Sequence, residues 1–445
     1  MTTRRDLLRM AWPFILANAT APLLGLADTA VIGNTGTVLD LGGIALGALI
    51  FNFLFWSFGF LRMGTTGFVA QAAGNGDEAE VRAVLGRALL LGGFLGLALI
   101  ALAGPLDGLF MELFHGSPDV ERVASSYVQV RIWSAPAYLA GQALRGCLIG
   151  LGHSRGLLLL ELALNTLNVL LDLLFAGVLG WGAVGVGIGT ALAEWLALVY
   201  AFVIVVQRLR QRRNDSQPFW SWARIGQRSA LREMLRANGD IMLRTLLLVF
   251  GFAWFNDQSA RFGDTLLAAN HVLLQFISFS AFFLDGFAYV AETLVGNAVG
   301  ARRRADFDRA VQRTSEVAAL SAVGLAAALA FGGSFAIALL TDLEPVRAAA
   351  RVHLPFAAGY VLVAVAAFQL DGVFIGATRT RAMRNAAVLS TGWFVVATHF
   401  LARDSAGLWL AFLTFAVARA AALGLYYPSL RRSIPGVEAE PSSAA

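Results

Sequence analysis

The sequence contains no lysine; all 34 basic residues are arginine. That choice carries no functional message by itself. A single cysteine, Cys147, rules out an internal disulfide and reads as a small buried hydrophobe. Charge is scarce as well. Only 14% of the 445 residues are charged, 58% are hydrophobic, and the mean hydropathy is +0.67. Soluble domains carry about 25% charged residues, so the chain reads as a polytopic membrane protein. Five histidines form no metal-ligand spacing: His115, His153, His353 and His399 are at or near segment ends, and His271 stands alone. No glycine-rich phosphate loop precedes a helix. These absences argue against an ATP-driven mechanism, a bound metal or other cofactor, and an integral membrane enzyme. The arginines are spread over short loops, so the net charge of +5 does not suggest nucleic acid.

What is present is a run of long apolar segments. A helix needs roughly 20 apolar residues to cross a bilayer. Twelve segments qualify: 11–33, 42–70, 84–106, 123–150, 157–179, 183–206, 238–256, 265–298, 310–340, 351–377, 384–401 and 405–428. The segment nearest the N-terminus has no small-residue cleavage site and reads as a retained helix. Arginines crowd alternate loops, as at Arg82 and Arg87, from Arg208 to Arg236, at Arg302–Arg304, and at Arg431 and Arg432. The positive-inside rule then places both termini in the cytoplasm. The polar stretch 207–236 divides the spans six and six. The expected layout is an N-terminal lobe (1–206), a basic cytoplasmic linker (207–236), a C-terminal lobe (237–430) and a cytoplasmic tail (431–445).

The halves resemble each other. Leu144-Arg145-Gly146-x-x-Ile149-Gly150 matches Leu370-Asp371-Gly372-x-x-Ile375-Gly376, and Val69-Ala70-Gln71 matches Val290-Ala291-Glu292. The fold expected is all-α: twelve transmembrane helices in two pseudo-symmetric six-helix lobes around a central cleft, the parallel type of transporter repeat.

Asp28 is the feature that demands explanation. A charged Asp at bilayer depth costs about 2.5–3.5 kcal/mol, and no arginine lies within a turn or two of it in sequence. In the fifth segment Asn165, Asn168 and Asp172 share one helical face, and the sixth carries Thr190. At about 1.5 Å of rise per residue, Asp28, Asp172 and Thr190 lie at one level, on the order of 10 Å below the outer surface. Two acids, an amide and a hydroxyl there can hold one proton, or one Na⁺ with the neutral oxygens completing its shell. The plainer alternative for Asn165, Asn168 and Thr190 is interhelical hydrogen bonding.

Two prolines flank this region. Pro13 is read either as the start of the first helix or as a bend within it; Pro22, six residues before Asp28, is the better kink candidate by position. In the second half Arg244, Asp285, Glu292 and Asp371 are charged within spans, with Arg62 and Arg145 as rough counterparts in the first half. Arg62, Arg145, Arg244, Asp285 and Asp371 are read either as inter-lobe gating charges or as locally paired groups.

At the level of whole motifs the chain resembles the multidrug and toxic compound extrusion (MATE) transporters, DinF-type branch. The resemblance runs through Pro22-Leu23-Leu24-Gly25-Leu26-Ala27-Asp28-Thr29-Ala30-Val31-Ile32-Gly33, Leu61-Arg62-Met63-Gly64-Thr65-Thr66-Gly67, Asp240-Ile241-Met242-Leu243-Arg244, Leu284-Asp285-Gly286-Phe287-Ala288-Tyr289 and the block from Leu370 to Arg379. It implies cation-coupled efflux of amphipathic, often cationic, small molecules by alternating access. It implies that Asp28 is the coupling residue, with Asn168, Asp172 and Thr190 beside it, and that Pro13 marks a bend. The NorM-like branch uses carboxylates on the seventh and tenth helices for Na⁺. Here the seventh offers Arg244 and Thr245, and Asp371 sits about a turn from the expected place. The resemblance therefore favours H⁺, with Na⁺ as the alternative ion at the same residues, in a monomer of the bacterial inner membrane. A lipid-linked substrate flippase is the competing reading; it calls for a cationic cavity in which Arg62, Arg145 and Arg244 converge.

Overall fold

The computed structural model describes residues 4–113 and 117–435, without the side chains of residues 21–24 and 113; His115 and the end of the tail lie outside the described residues. Helices α1 (Arg4–Ala19) and α2 (Ala21–Thr35) are followed by α3 (Val38–Ser57), α4 (Phe60–Gly74), α5 (Glu78–Ala101) and α6 (Ala103–Leu113). Next come α7 (Pro118–Arg131), a 3₁₀ turn (Ile132–Ser134), α8 (Ala135–Gly150), α9 (Ser154–Asp172), a π-helical turn (Leu173–Val178) and α10 (Gly182–Arg212). The rest is α11 (Trp222–Ile225), α12 (Arg228–Ala260), α13 (Asp264–Gly300), α14 (Arg304–Leu340), α15 (Glu344–Gly376), α16 (Thr380–Leu401) and α17 (Ser405–Ser433). Leaving aside the single turn of α11, the pieces join where one continues another into twelve rods among the described residues, one for each apolar segment. Nine helical stretches among the described residues are long and apolar enough to cross a membrane by length and composition. The rods missing from that set are the broken first, the arginine-bearing fourth, and α16.

In the first rod, Pro13 takes the second of the two places read for it. The helix begins at Arg4, so Pro13 lies inside α1 rather than opening it. Arg and Leu favour helix, and Asp6 in the first turn suits the helix dipole. The discontinuity comes later, at Thr20, whose hydroxyl donates to the Ala17 carbonyl at 2.7 Å. Pro22 stands in the first turn of α2, where a missing N–H costs nothing.

The chain forms two compact units. One takes in Leu16–Val69 and Asp77–Met234; the other takes in Ala70–Gly76, the described residues up to Ile15, and those from Leu235 onward. In the first unit small residues let backbones meet. A Cβ on Gly96 would strike the Pro136 backbone, and one on Gly92 the Leu139 carbonyl. The stretch read as a linker is held against this unit. Arg82 reaches both Asp215 oxygens at 2.8 Å and the Phe219 carbonyl at 2.9 Å. Arg212 meets Glu78 at 2.6 Å, and Arg224 meets Asp77 at 2.9 Å. The guanidinium of Arg82 holds the Asp215 carboxyl below its usual range. For Asp77, burial works the other way but is outweighed by the bond from Arg224, so its carboxyl too sits low.

The second unit has an aromatic core in which Phe255, Trp409, Phe412, Phe415, Phe394 and Tyr360 pack together. The Trp409 indole donates to Asn270 at 2.9 Å, and Asn270 donates to Ser259 at 2.6 Å. The front of α1 belongs here, with Phe14 edge-on to Tyr289 at 5.8 Å.

The internal repeat is visible in element ends. Gly74 and Gly300, Glu78 and Arg304, Gly150 and Gly376, Ser154 and Thr380 are each 226 residues apart. Glycine packing keeps that spacing. Gly146 and Gly150 face the carbonyls of Arg62 and Thr66; Gly372 and Gly376 face those of Ala288 and Glu292. The match of 69–71 with 290–292 is therefore five residues out of register. The left-handed turns recur at the same spacing. Gly76 (φ 74°) and Gly152 (φ 67°) are answered by Arg302 (φ 56°) and Thr378 (φ 51°). Left-handed backbone costs a residue with a Cβ roughly 1–2 kcal/mol, so the second half carries strain that the first avoids.

Candidate functional site

The site is assembled within the unit of Leu16–Val69 and Asp77–Met234. Helix α2 brings Asp28. Helix α9 brings Asn168 and Asp172, one turn apart on one face. Helix α10 brings Thr190 and, a turn later, Glu194. Helix α7 brings Tyr127 and Arg131 with the same spacing. The relative exposures of Asp28, Asn168, Asp172 and Thr190 are 7%, 0%, 0% and 0%. All four sequence-predicted residues are thus brought together out of water.

The local chain serves this closeness. A Cβ on Gly189 would overlap the Asp172 carboxylate, so only glycine lets α10 approach α9 there. The start of α10 is fixed by Asp40, which accepts from the Ala183 N–H at 3.1 Å while closing a capping box with Thr37. Asp172 is the last residue of α9 before the π-helical turn. Such turns often mark functional sites.

Hydrogen-bond accounting shows what the site can do. Asn168 Nδ2 donates to Thr190 Oγ1 at 3.0 Å, and that hydroxyl donates to the Val186 carbonyl at 2.9 Å. Asp28, Asp172 and Asn168 lie close enough to act on one another, and Arg131 acts on both carboxyls at longer range. Yet Asp28 Oδ1, both oxygens of Asp172 and Asn168 Oδ1 are buried without a donor. Two carboxylates side by side are acceptors only, unless one carries a proton or both share a cation. Asn165, on the same stripe, instead donates to the carbonyl of Glu161 in its own helix at 2.8 Å.

Sequence reasoning missed Arg131, Glu194 and Tyr127. Arg131 Nη2 donates to Glu194 Oε1 at 3.3 Å, with its guanidinium 5.0 Å above the Phe51 ring. Glu194 was legible as the next residue on the Thr190 face. Arg131 was not, because it is remote from Asp28 in sequence.

The other charges pair inside single units. Arg145 Nε meets Glu161 at 2.6 Å. Asp371 Oδ2 accepts from Arg244 and, at 2.8 Å, from Arg419. For Arg145, Arg244 and Asp371 the inter-lobe lock therefore gives way to local pairing, because a carboxylate lies within reach in the same bundle. Arg62 and Asp285 have interactions as well. Among the described residues no group of three His, Cys, Asp or Glu could hold a metal ion.

The MatE family model matches residues 13–174 and 241–401. The chain is 36% identical to DNA damage-inducible protein F of Escherichia coli (strain K12) over 94% of its length and 91% of that protein's. It is 25% identical to a probable multidrug resistance protein NorM of Shewanella oneidensis, covering 82% of this chain and 78% of that one. A crystal structure of MATE in complex with MaD5 superposes with a TM-score of 0.84 at 17% identity, over 98% and 96% of the two chains.

Proposed function

The chain belongs to the MatE family of multidrug and toxic compound efflux transporters, and from that premise we propose that it is a proton-coupled antiporter exporting amphipathic, cationic small molecules by alternating access. Asp28 is the coupling carboxylate, with Asp172, Asn168 and Thr190 in its network. The observation that carries the reading is the set of buried acceptor oxygens with no donor at Asp28, Asp172 and Asn168. A proton on Asp28 gives the Asp28–Asp172 pair the donor it lacks and removes one buried negative charge. A cationic substrate offsets the same charge when the proton is gone. Proton and substrate then compete for one carboxylate pair, which is the requirement for exchange. The membrane is the bacterial inner membrane, with both termini cytoplasmic, and the transporter works as a monomer.

Efflux of ethidium in everted membrane vesicles tests this. Wild type should move the dye uphill under an imposed pH gradient, and Asp28→Asn should not. Uphill export by Asp28→Asn would sink the idea.

Na⁺ coupling at the same residues is the second reading. It is favoured by Asn168 Oδ1, a neutral amide oxygen that can ligate Na⁺ but does not take up a proton at physiological pH. A rate that follows the Na⁺ gradient and ignores pH would select it. The flippase reading has less to stand on, since Arg145 and Arg244 each already face a carboxylate.

A further inference from the structure

We propose that Glu194 is a proton-relay site between the Asp28–Asp172 pair and the arginine-rich end of α10, and that Arg131 is the positioning residue that switches between the two acidic centres. This rests on the proton-coupled reading above and extends it to residues that reading does not use.

Three observations converge. The first is charge. Asp28, Asp172, Glu194 and Arg131 are 7%, 0%, 5% and 7% exposed. Fully ionised, they would leave two negative charges uncompensated at bilayer depth, where even one is costly. Arg145 does not make up the difference, because it is bound to Glu161 at 2.6 Å.

The second is the divided attention of one guanidinium. Arg131 meets Glu194 at 3.3 Å, long for a charge-assisted bond, and its Nη1 is buried without a partner. The same group acts on Asp28 and Asp172. It serves two acidic centres and saturates neither.

The third is a path. Glu194 is one turn beyond Thr190 on a helix that runs on to Arg210 and Arg212. Its Oε2 is buried without a partner. On its arginine-rich side it borders a small cavity of about 10 Å³, room for roughly one water, lined also by Tyr138, Gly141, Arg145, Leu164 and Ala201. The titratable and charged groups that act on Glu194 are Tyr127 and Arg131 from α7 and Tyr138 and Arg145 from α8, with the Ser134 hydroxyl beside it; Asp28 and Asp172 face Tyr127 and Arg131 in turn.

While Asp28–Asp172 holds the proton, Arg131 stays with an ionised Glu194. When the proton leaves, it is taken up at Glu194 Oε2, and Arg131 turns to the newly ionised pair. Glu194 then releases the proton to water in the cavity, and Arg131 returns.

The test uses the purified transporter in liposomes, with ethidium efflux measured against pH and carboxyl protonation followed by infrared difference titration. Glu194→Gln should slow proton-driven efflux by a factor on the order of 10 or more, change the pH profile, and remove one titrating carboxyl band. Glu194→Asp should restore much of the rate, and Arg131→Gln should shift the Glu194 band. Wild-type rate, profile and band count in Glu194→Gln would overturn the relay. If Glu194→Gln does not assemble, Arg131→Lys replaces it, and an unshifted Glu194 band then overturns the proposal. Asp28→Asn separates the layers. Uphill efflux retained there sinks the coupling reading and the relay with it. Efflux lost there, but normal in Glu194→Gln, sinks the relay alone.

Discussion

Shifted by the 226 residues of the internal repeat, Asp28 falls on Trp254 and Asp172 on Thr398. In the second half the Trp254 indole donates to the Thr398 hydroxyl at 3.0 Å. One position pair thus holds two acceptors without a donor in one half, and a complete neutral hydrogen bond in the other. The polarity also reverses one layer away. Arg145, bound to Glu161, corresponds to Asp371, bound to Arg244 and Arg419. The scaffold repeats and the ion chemistry does not. Duplicated packing positions glycines and turns, and polar side chains decide which half handles a cation.

That contrast can be broken in measurable ways. Removing the charge of Asp371 leaves two buried guanidinium groups unneutralised, so Asp371→Asn should cost about 3–5 kcal/mol, read as a drop in the thermal unfolding midpoint in detergent. Arg145→Gln, which strands one carboxylate, should cost less. A smaller loss for Asp371→Asn would mean the second half tolerates free positive charge. Next is the site itself. Asp172→Asn should reduce proton-driven efflux by about 100-fold, at the upper end of typical coupling energies, whereas Thr398→Val should leave it within roughly threefold. Equal losses would show that both halves take part in coupling.

Smaller effects sharpen the scaffold side. Arg302→Gly should stabilise the protein by about 1 kcal/mol, and Gly76→Ala should destabilise it by a similar amount, since both test the same left-handed turn. Thermal melts of the two variants should move in opposite directions. The smallest effect concerns the 207–236 stretch. Asp77 and Asp215 have carboxyls held below their unfolded value of about 4. Their contribution is complete above that pH and is lost as pH falls through the folded values. Protease cleavage within 207–236 should therefore rise as the pH is lowered below about 4, and should already be raised at neutral pH in Arg82→Gln.

Much of the architecture is legible in the sequence because bilayer burial writes itself as long apolar runs, and twelve of those runs became twelve rods. The Asp28, Asn168, Asp172 and Thr190 group could be found by counting rise per residue along neighbouring helices, which is one-dimensional arithmetic. Arg131 escaped because which helices meet is a tertiary fact, and its distance from Asp28 in sequence hides their proximity. Local pairing of Asp371 with Arg244 was one of the two readings left open, but its second partner, Arg419, was hidden for the same reason. Register was misjudged at 69–71 because a three-residue match carries little information, whereas glycine contacts fix it atom by atom. The break at Thr20 was only half visible. Proline content showed that the first helix is irregular, but not whether Pro13 or Pro22 marks the interruption.

The first rod and the short stretch Ala70–Gly76 also bear on how this protein can be made. The described residues up to Ile15 and 70–76 precede the midpoint of the chain yet pack with the described residues from Leu235 onward. Severing the chain in the 207–236 stretch would therefore not yield two self-sufficient polypeptides. The downstream piece would lack the Phe14 that meets Tyr289 and the Gln71 that bonds to Gly376 and Thr378. The dependence runs one way, since the upstream unit is drawn from 16–69 and 77–234 alone, and a split version must co-express the upstream piece for the downstream unit to be completed.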